Sequence, residues 1–151
     1  MHNNKVDLVE KLSHLLSDIV TMRSVTQGYH WNVKGIEFTQ MHELFQEIYE
    51  DIDASVDPLA EDIRKLGYDA PYFLTDFVEM TCLGDMPRLS GDPVQMLESL
   101  LNLNTVVNAC VISAFELANA CNEQGIADFL AGRDDMHKKW GWYLRSSLGT
   151  R

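Results

Sequence analysis

Positive charge is scarce in this chain. Against 23 Asp and Glu there are 12 Lys and Arg, a formal charge of −11 at neutral pH. Phosphate backbones need Lys and Arg opposite them, so the balance argues against a nucleic-acid surface on the folded body, though not against a local basic patch. An acidic surface attracts cations instead. Cysteine is sparse as well. Cys82, Cys110 and Cys121 are too few and too odd in number for a disulfide framework, and their spacing is not a zinc pattern. They read as buried free thiols in a reducing compartment. No apolar run approaches the ~20 residues of a membrane span, and Met1-His2-Asn3-Asn4-Lys5 lacks the apolar stretch of a signal peptide. The expected setting is the cytoplasm, with no membrane partner. What remains is ordinary globular material. The 151 residues are 46% hydrophobic and 23% charged, which suits one domain with its own core and excludes a disordered or collagen-like chain.

The apolar residues recur at helical spacing. Leu8, Leu12, Leu15, Leu16, Ile19, Met22 and Val25 step by three and four over 7–33, and Gly35 is a natural terminator. Met41, Leu44, Phe45, Ile48, Ile52, Val56, Leu59, Ile63 and Leu66 do the same over 39–66, closed by Gly67. So short a connection makes the two helices an antiparallel hairpin. Pro58 removes a backbone hydrogen bond and predicts a kink near 54–58. Residues 68–92 are rich in Pro and Gly and long enough to cross the length of a bundle, with a short helix expected near 75–80 and Thr75 as its N-cap. Asp92-Pro93 is an N-cap followed by proline at the first helical position, and opens a third helix to about 122. A fourth spans about 126–146. The expectation is all-α: a single domain over 1–151, a four-helix bundle with one long crossover after its second helix. Met22, Met41 and Met96 read as core fillers, Trp140 and Trp142 as packing or interface residues. His2, His14 and His137 read as surface or structural, and Asp134 and Asp135 as exposed.

One constellation could carry chemistry. His30 lies just before the turn of the hairpin and His42 just after it, so antiparallel packing sets them opposite one another. On the second helix His42 and Gln46 are four apart, as are Asp57 and Glu61, so each pair projects from one face. Residues 42 and 57 lie ~22 Å apart along the axis, too far to share one ion within a chain. An identical helix running antiparallel across a two-fold axis near Asp51 and Ile52 would bring Asp57 and Glu61 of one chain to His30 and His42 of the other, twice per dimer. Two imidazoles and two carboxylates suit divalent iron, zinc or manganese. The plainer alternative is a solvated acidic face and capping histidines.

His30-Trp31-Asn32-Val33-Lys34-Gly35 followed by His42-Glu43-Leu44-Phe45 resembles the hallmark of the Dps family, twelve-subunit ferritin-like mini-ferritins. Asp57-Pro58-Leu59-Ala60-Glu61-Asp62-Ile63-Arg64-Lys65-Leu66-Gly67 is similar to its second signature, and Trp140-Gly141-Trp142-Tyr143-Leu144-Arg145 to its closing stretch. The resemblance runs from about Val6 to Leu148. It implies a ferritin-like four-helix bundle with a short crossover helix, assembled as a hollow dodecamer. Ferroxidase centres would lie between subunits, with His30 and His42 from one chain and Asp57 and Glu61 from the other. Trp31 would sit beside the centre and quench radicals. Ferrous iron, oxidised preferentially by hydrogen peroxide, would be stored as ferric mineral. Asp128 matches a position in the family's acidic three-fold pores, with Glu123 nearby, although either also reads as an ordinary surface acid.

The sequence departs from the family at Gln46, where a carboxylate ligand is usual. A carboxamide offers one neutral oxygen, so iron should be held less tightly there. Glu47 is rotated about 100° away; Glu43 and Glu50 read as acids that support the ligands, line a pore or simply face solvent. Pro58, beside Asp57, would shift that ligand if the helix kinks. Family members that coat DNA often carry a basic tail; here only Lys5 precedes the first helix, and Arg145 and Arg151 lie near the C-terminal end. Twelve subunits would carry on the order of −130 charges, so DNA binding is expected to be weak or absent. The rival readings are a cage without a competent ferroxidase, a DNA-coating protein, and a buffer of zinc or another divalent metal.

Overall fold

The computed structural model describes residues 4–149. Five helices follow one another: α1 (Asn4–Asn32), α2 (Phe38–Lys65), α3 (Leu74–Met80), α4 (Pro93–Ala120) and α5 (Gln124–Leu148). No strand occurs among the described residues. The four long helices form the bundle and α3 rides in the crossover. α1 packs on α2, α4 and α3, and α4 packs on α5. Side chains close the ring between α5 and α2, as described below.

The helix boundaries follow from local chemistry. Asp92 caps α4 by accepting a 2.9 Å bond from the Val94 N–H, with Pro93 next in line. α1 stops before Gly35, whose φ of +122° no ordinary side chain adopts comfortably. Gly91 is constrained twice. Its φ is +99°, and a Cβ there would lie 2.8 Å from the Asn32 carbonyl oxygen. This close approach lets the Gly91 carbonyl accept from the Lys34 N–H at 2.9 Å, tying the end of the crossover to the α1–α2 turn.

The core is built from the predicted stripes: Leu8, Leu12, Leu15, Ile19 and Met22 of α1, Phe45, Ile48, Ile52, Leu59 and Ile63 of α2, with Met96, Leu100, Val107 and Val111 of α4 and Leu130 and Leu144 of α5. Trp140 is buried and Met41 half-buried.

Several expectations need correction. The cysteines are free, but Cys82 is exposed and Cys110 and Cys121 are only half-buried. Thr75 does not cap α3, which begins after Phe73 with no side-chain cap. Pro58 lies inside α2, as the sequence placed it. Asp134 is half-buried, bonded by Asn108 and Lys138, while Asp135 is exposed. α4 is long and apolar enough, by length and composition, to cross a membrane, although polar residues such as Glu98, Asn102 and Asn104 interrupt its apolar stretch. His2 and Arg151 lie outside the described residues.

Candidate metal centre

The α1–α2 hairpin brings His30 and His42 into direct contact. Their rings stack with centroids 3.7 Å apart and 14° between planes. His30 Nδ1 lies 2.7 Å from the backbone carbonyl oxygen of His42, and His42 Nδ1 lies 2.6 Å from that of His30. A carbonyl can only accept, so each Nδ1 carries the proton. In the neutral rings each Nε2 therefore keeps its lone pair, the tautomer a metal-ligating imidazole needs. Phe38 stacks on His42 at 5.0 Å, and the Tyr49 ring meets His30 edge-on at 5.3 Å. The aromatic neighbours and the main-chain bonds together fix both rings.

Gln46 follows one turn after His42. Its Nε2 donates to Glu50 Oε1 at 2.8 Å, so the nitrogen end is engaged and the carbonyl oxygen is the atom left to ligate a metal. Glu43 and Glu47 are exposed. Further along α2, Asp57 and Glu61 are exposed and make no ion pair among the described residues. They lie 15 and 19 positions beyond His42, and no group of three or more His, Cys, Asp or Glu side chains within the described chain is arranged to hold an ion. The hairpin thus unites the histidines, while the acids remain apart from them on the same helix. Trp31, next to His30, is 65% exposed. Glu123 is half-buried at the N-cap position of α5 without capping through its side chain, and Asp128 is exposed one turn on.

Asp51 and Ile52, expected near a two-fold axis, turn inward. Ile52 is fully buried, and at that height the outward residues are Glu50, Asp53 and Ala54, with Asp53 paired to Arg23 at 2.7 Å.

A family model described as a ferritin-like domain matches residues 9–150. A low temperature-induced protein of Nostoc sp. is 31% identical over 149 residues, covering 93% of this chain and 79% of that protein. The structure of Dps from Staphylococcus aureus superposes with a TM-score of 0.88 at 26% identity, covering 94% of this chain and 95% of the other. That of Vibrio cholerae Dps, described as a member of a broad superfamily of ferritin-like diiron-carboxylate proteins, gives 0.90 at 24% identity, covering 96% and 91%. The chain belongs to the ferritin-like family, among the Dps proteins.

In this Dps chain a second polar cluster joins α2 to α5, and sequence reasoning missed most of it. Arg133 makes two bonds to Asp51, of 3.0 and 2.9 Å, and Trp140 Nε1 donates to Asp51 Oδ2 at 2.8 Å. His137 Nδ1 donates to Asn104 Oδ1 at 2.9 Å, its Nε2 faces Arg133 at 3.3 Å, and Asn104 Nδ2 donates to the His137 carbonyl at 2.8 Å. Burial alone would raise the Asp51 carboxyl, but the bonds from Arg133 and Trp140 outweigh it and hold it below the ordinary 3.8. Burial, and then the Arg133 charge, push His137 down to about 3. Arg133 and His137 are four apart on α5, a helical spacing that could have flagged them. Asp51 gave no such signal.

Proposed function

We propose that this Dps protein is a ferroxidase and iron store. The whole chain acts as one ferritin-like domain, and twelve copies enclose a hollow cage. His30 and His42 of one protomer and Asp57 and Glu61 of a second would bind ferrous iron between them, with Gln46 as a weaker neutral ligand. Each hydrogen peroxide takes one electron from each of two ferrous ions and, with two protons, leaves as two waters; the ferric ions become mineral. Trp31, exposed beside the pair, would intercept radicals. Glu123 and Asp128 would draw cations toward three-fold pores. The free thiols suit a cytoplasmic setting, and the negative charge argues that DNA binding is weak or absent.

The observation that carries this reading is the pair of stacked imidazoles whose Nδ1–H groups are each tied to the opposite main chain, leaving two Nε2 lone pairs. A second chain is needed because the acids cannot reach them from within the first. Support for assembly comes from Tyr72, Phe73, Leu74 and Val78, which are 58–77% exposed around α3, an apolar face of the sort that partners cover. Zinc or another divalent ion suits the same donors.

The test is ferrous oxidation by the purified protein with peroxide and with dioxygen, followed by iron loading and sizing. Peroxide-driven oxidation with many irons retained in a large particle supports the reading; a monomer that leaves iron in solution overturns it. A second reading, a cage with an incompetent centre, is favoured by the neutral Gln46. Inactive wild type with activity restored in Gln46→Asp would establish that alternative.

A further inference from the structure

Away from the histidine pair, two of the three cysteines share one open groove. It has a volume of about 390 Å³ and is lined by Glu10, Lys11 and His14 of α1, by Cys82 just after α3, and by Cys110 and Leu117 of α4. Cys82 is exposed but its backbone is not loose. Its N–H donates to Asp18 Oδ1 at 2.7 Å, and Thr81 Oγ1 donates to the same oxygen at 2.7 Å. His14 Nδ1 donates to the Met80 carbonyl at 2.8 Å, and the Leu83 N–H donates to Thr81 Oγ1 at 3.2 Å. Residues 80–83 are thereby fastened to α1, with Cys82 facing the same groove as Cys110. Asp18 itself is fully buried, and its Oδ2 has no hydrogen-bond partner.

We propose that Cys82 and Cys110 form a peroxide-reactive thiol pair that closes to an intramolecular disulfide. The two thiols are placed for different steps. Cys110 is held as a thiol, since burial first and the Asp18 charge second push it up to about 11. Cys82 is the accessible one and attacks first, as its thiolate. Its sulfur bonds to one oxygen of hydrogen peroxide, the O–O bond breaks, and the departing hydroxide takes up a proton to leave as water, giving the sulfenic acid. Cys110 sulfur then attacks Cys82 sulfur. The S–O bond breaks, and the hydroxyl leaves as a second water with the proton released by Cys110. Two thiols have given two electrons to one peroxide. The product would link the crossover, just beyond α3, to the middle of α4. The pair uses none of the residues assigned to iron, so its test is run without metal.

The full-length protein, in a chelator, is treated with equimolar hydrogen peroxide and mapped by peptide mass spectrometry without reduction. The expected result is a Cys82–Cys110 peptide pair, short of two hydrogens, in the wild type and in Cys121→Ser. In Cys110→Ser, Cys82 sulfenic acid should accumulate and be trapped by dimedone; in Cys82→Ser, Cys110 should stay reduced. Circular dichroism confirms that each variant is folded. Links between chains, a link through Cys121, irreversible oxidation of Cys82 beside a free Cys110 in the wild type, or no reaction would each overturn the proposal.

Discussion

Three histidines of this protein make contrasting use of the same ring. At the α1–α2 edge, His30 and His42 each have one nitrogen bonded to a carbonyl and the other without a partner among the described residues. At the α2–α5 junction, His137 is 1% exposed and both its nitrogens are engaged, one donating to Asn104 and one facing Arg133. The difference is not one of residue type or helix position, but of how many ring nitrogens the fold consumes. A ring with a spare lone pair can bind something; a ring with none is a strut. The acids follow the same division. Asp51 is surrounded by donors, whereas Asp57 and Glu61 stand in solvent.

The largest effect is expected where the strut is cut. Asp51→Ala leaves the Arg133 guanidinium, already short of a partner at Nε, buried without its counter-charge, at a cost of about 3–5 kcal/mol. Urea denaturation should show it as a lower midpoint. Next comes pH. His137 titrates near 6.5 when unfolded but at about 3 in the fold, so the unfolded chain binds the extra proton over that interval. Stability from this group is complete above 6.5 and drains away as pH falls toward about 3. Asp51, held below its ordinary value, adds a further loss as acid finally protonates it. A denaturation series across this interval should slope in the wild type and flatten in His137→Gln; equal slopes would remove His137 from the explanation.

Changes at the histidine pair should do the reverse, altering chemistry more than stability. His42→Ala is expected to slow peroxide-driven ferrous oxidation at least about tenfold, equivalent to ~1.4 kcal/mol, while moving the urea midpoint less than Asp51→Ala does. If the midpoint collapses instead, the stacked pair is a strut too and the contrast fails. The smallest expected change is Gln46→Glu, which supplies the missing charge and should tighten ferrous binding severalfold in a titration, roughly 1 kcal/mol.

Much of this was readable in the chain. Asp92-Pro93, Gly35 and Gly67 mark helix ends through local backbone chemistry, and the three-and-four stripes settle which faces are buried. The His30–His42 meeting was also legible, because a short turn leaves an antiparallel hairpin little choice. The strut was not, since Asp51 meets Arg133 and Trp140 across 82 and 89 positions, beyond any periodic pattern. The start of α3 was missed because Thr75 had the right chemistry for a cap, while the chain enters the helix at Leu74 without one. The exposure of Cys82 follows from an anchored extended segment after α3, which cysteine's usual preference for the interior does not foretell. The proposed pairing of histidines with acids was legible only as spacing, because its other half would belong to another copy of α2.

The paired tethers at the hairpin have one more implication. Neither imidazole can swing away without releasing the strand of backbone that its neighbour's ring is holding, so the two behave as a latch rather than as independent arms. An incoming cation would find both nitrogen donors already oriented, with little rotamer freedom left to surrender. Discrimination among metals would then fall to the oxygen side of the pocket, where a neutral amide stands in for an acid.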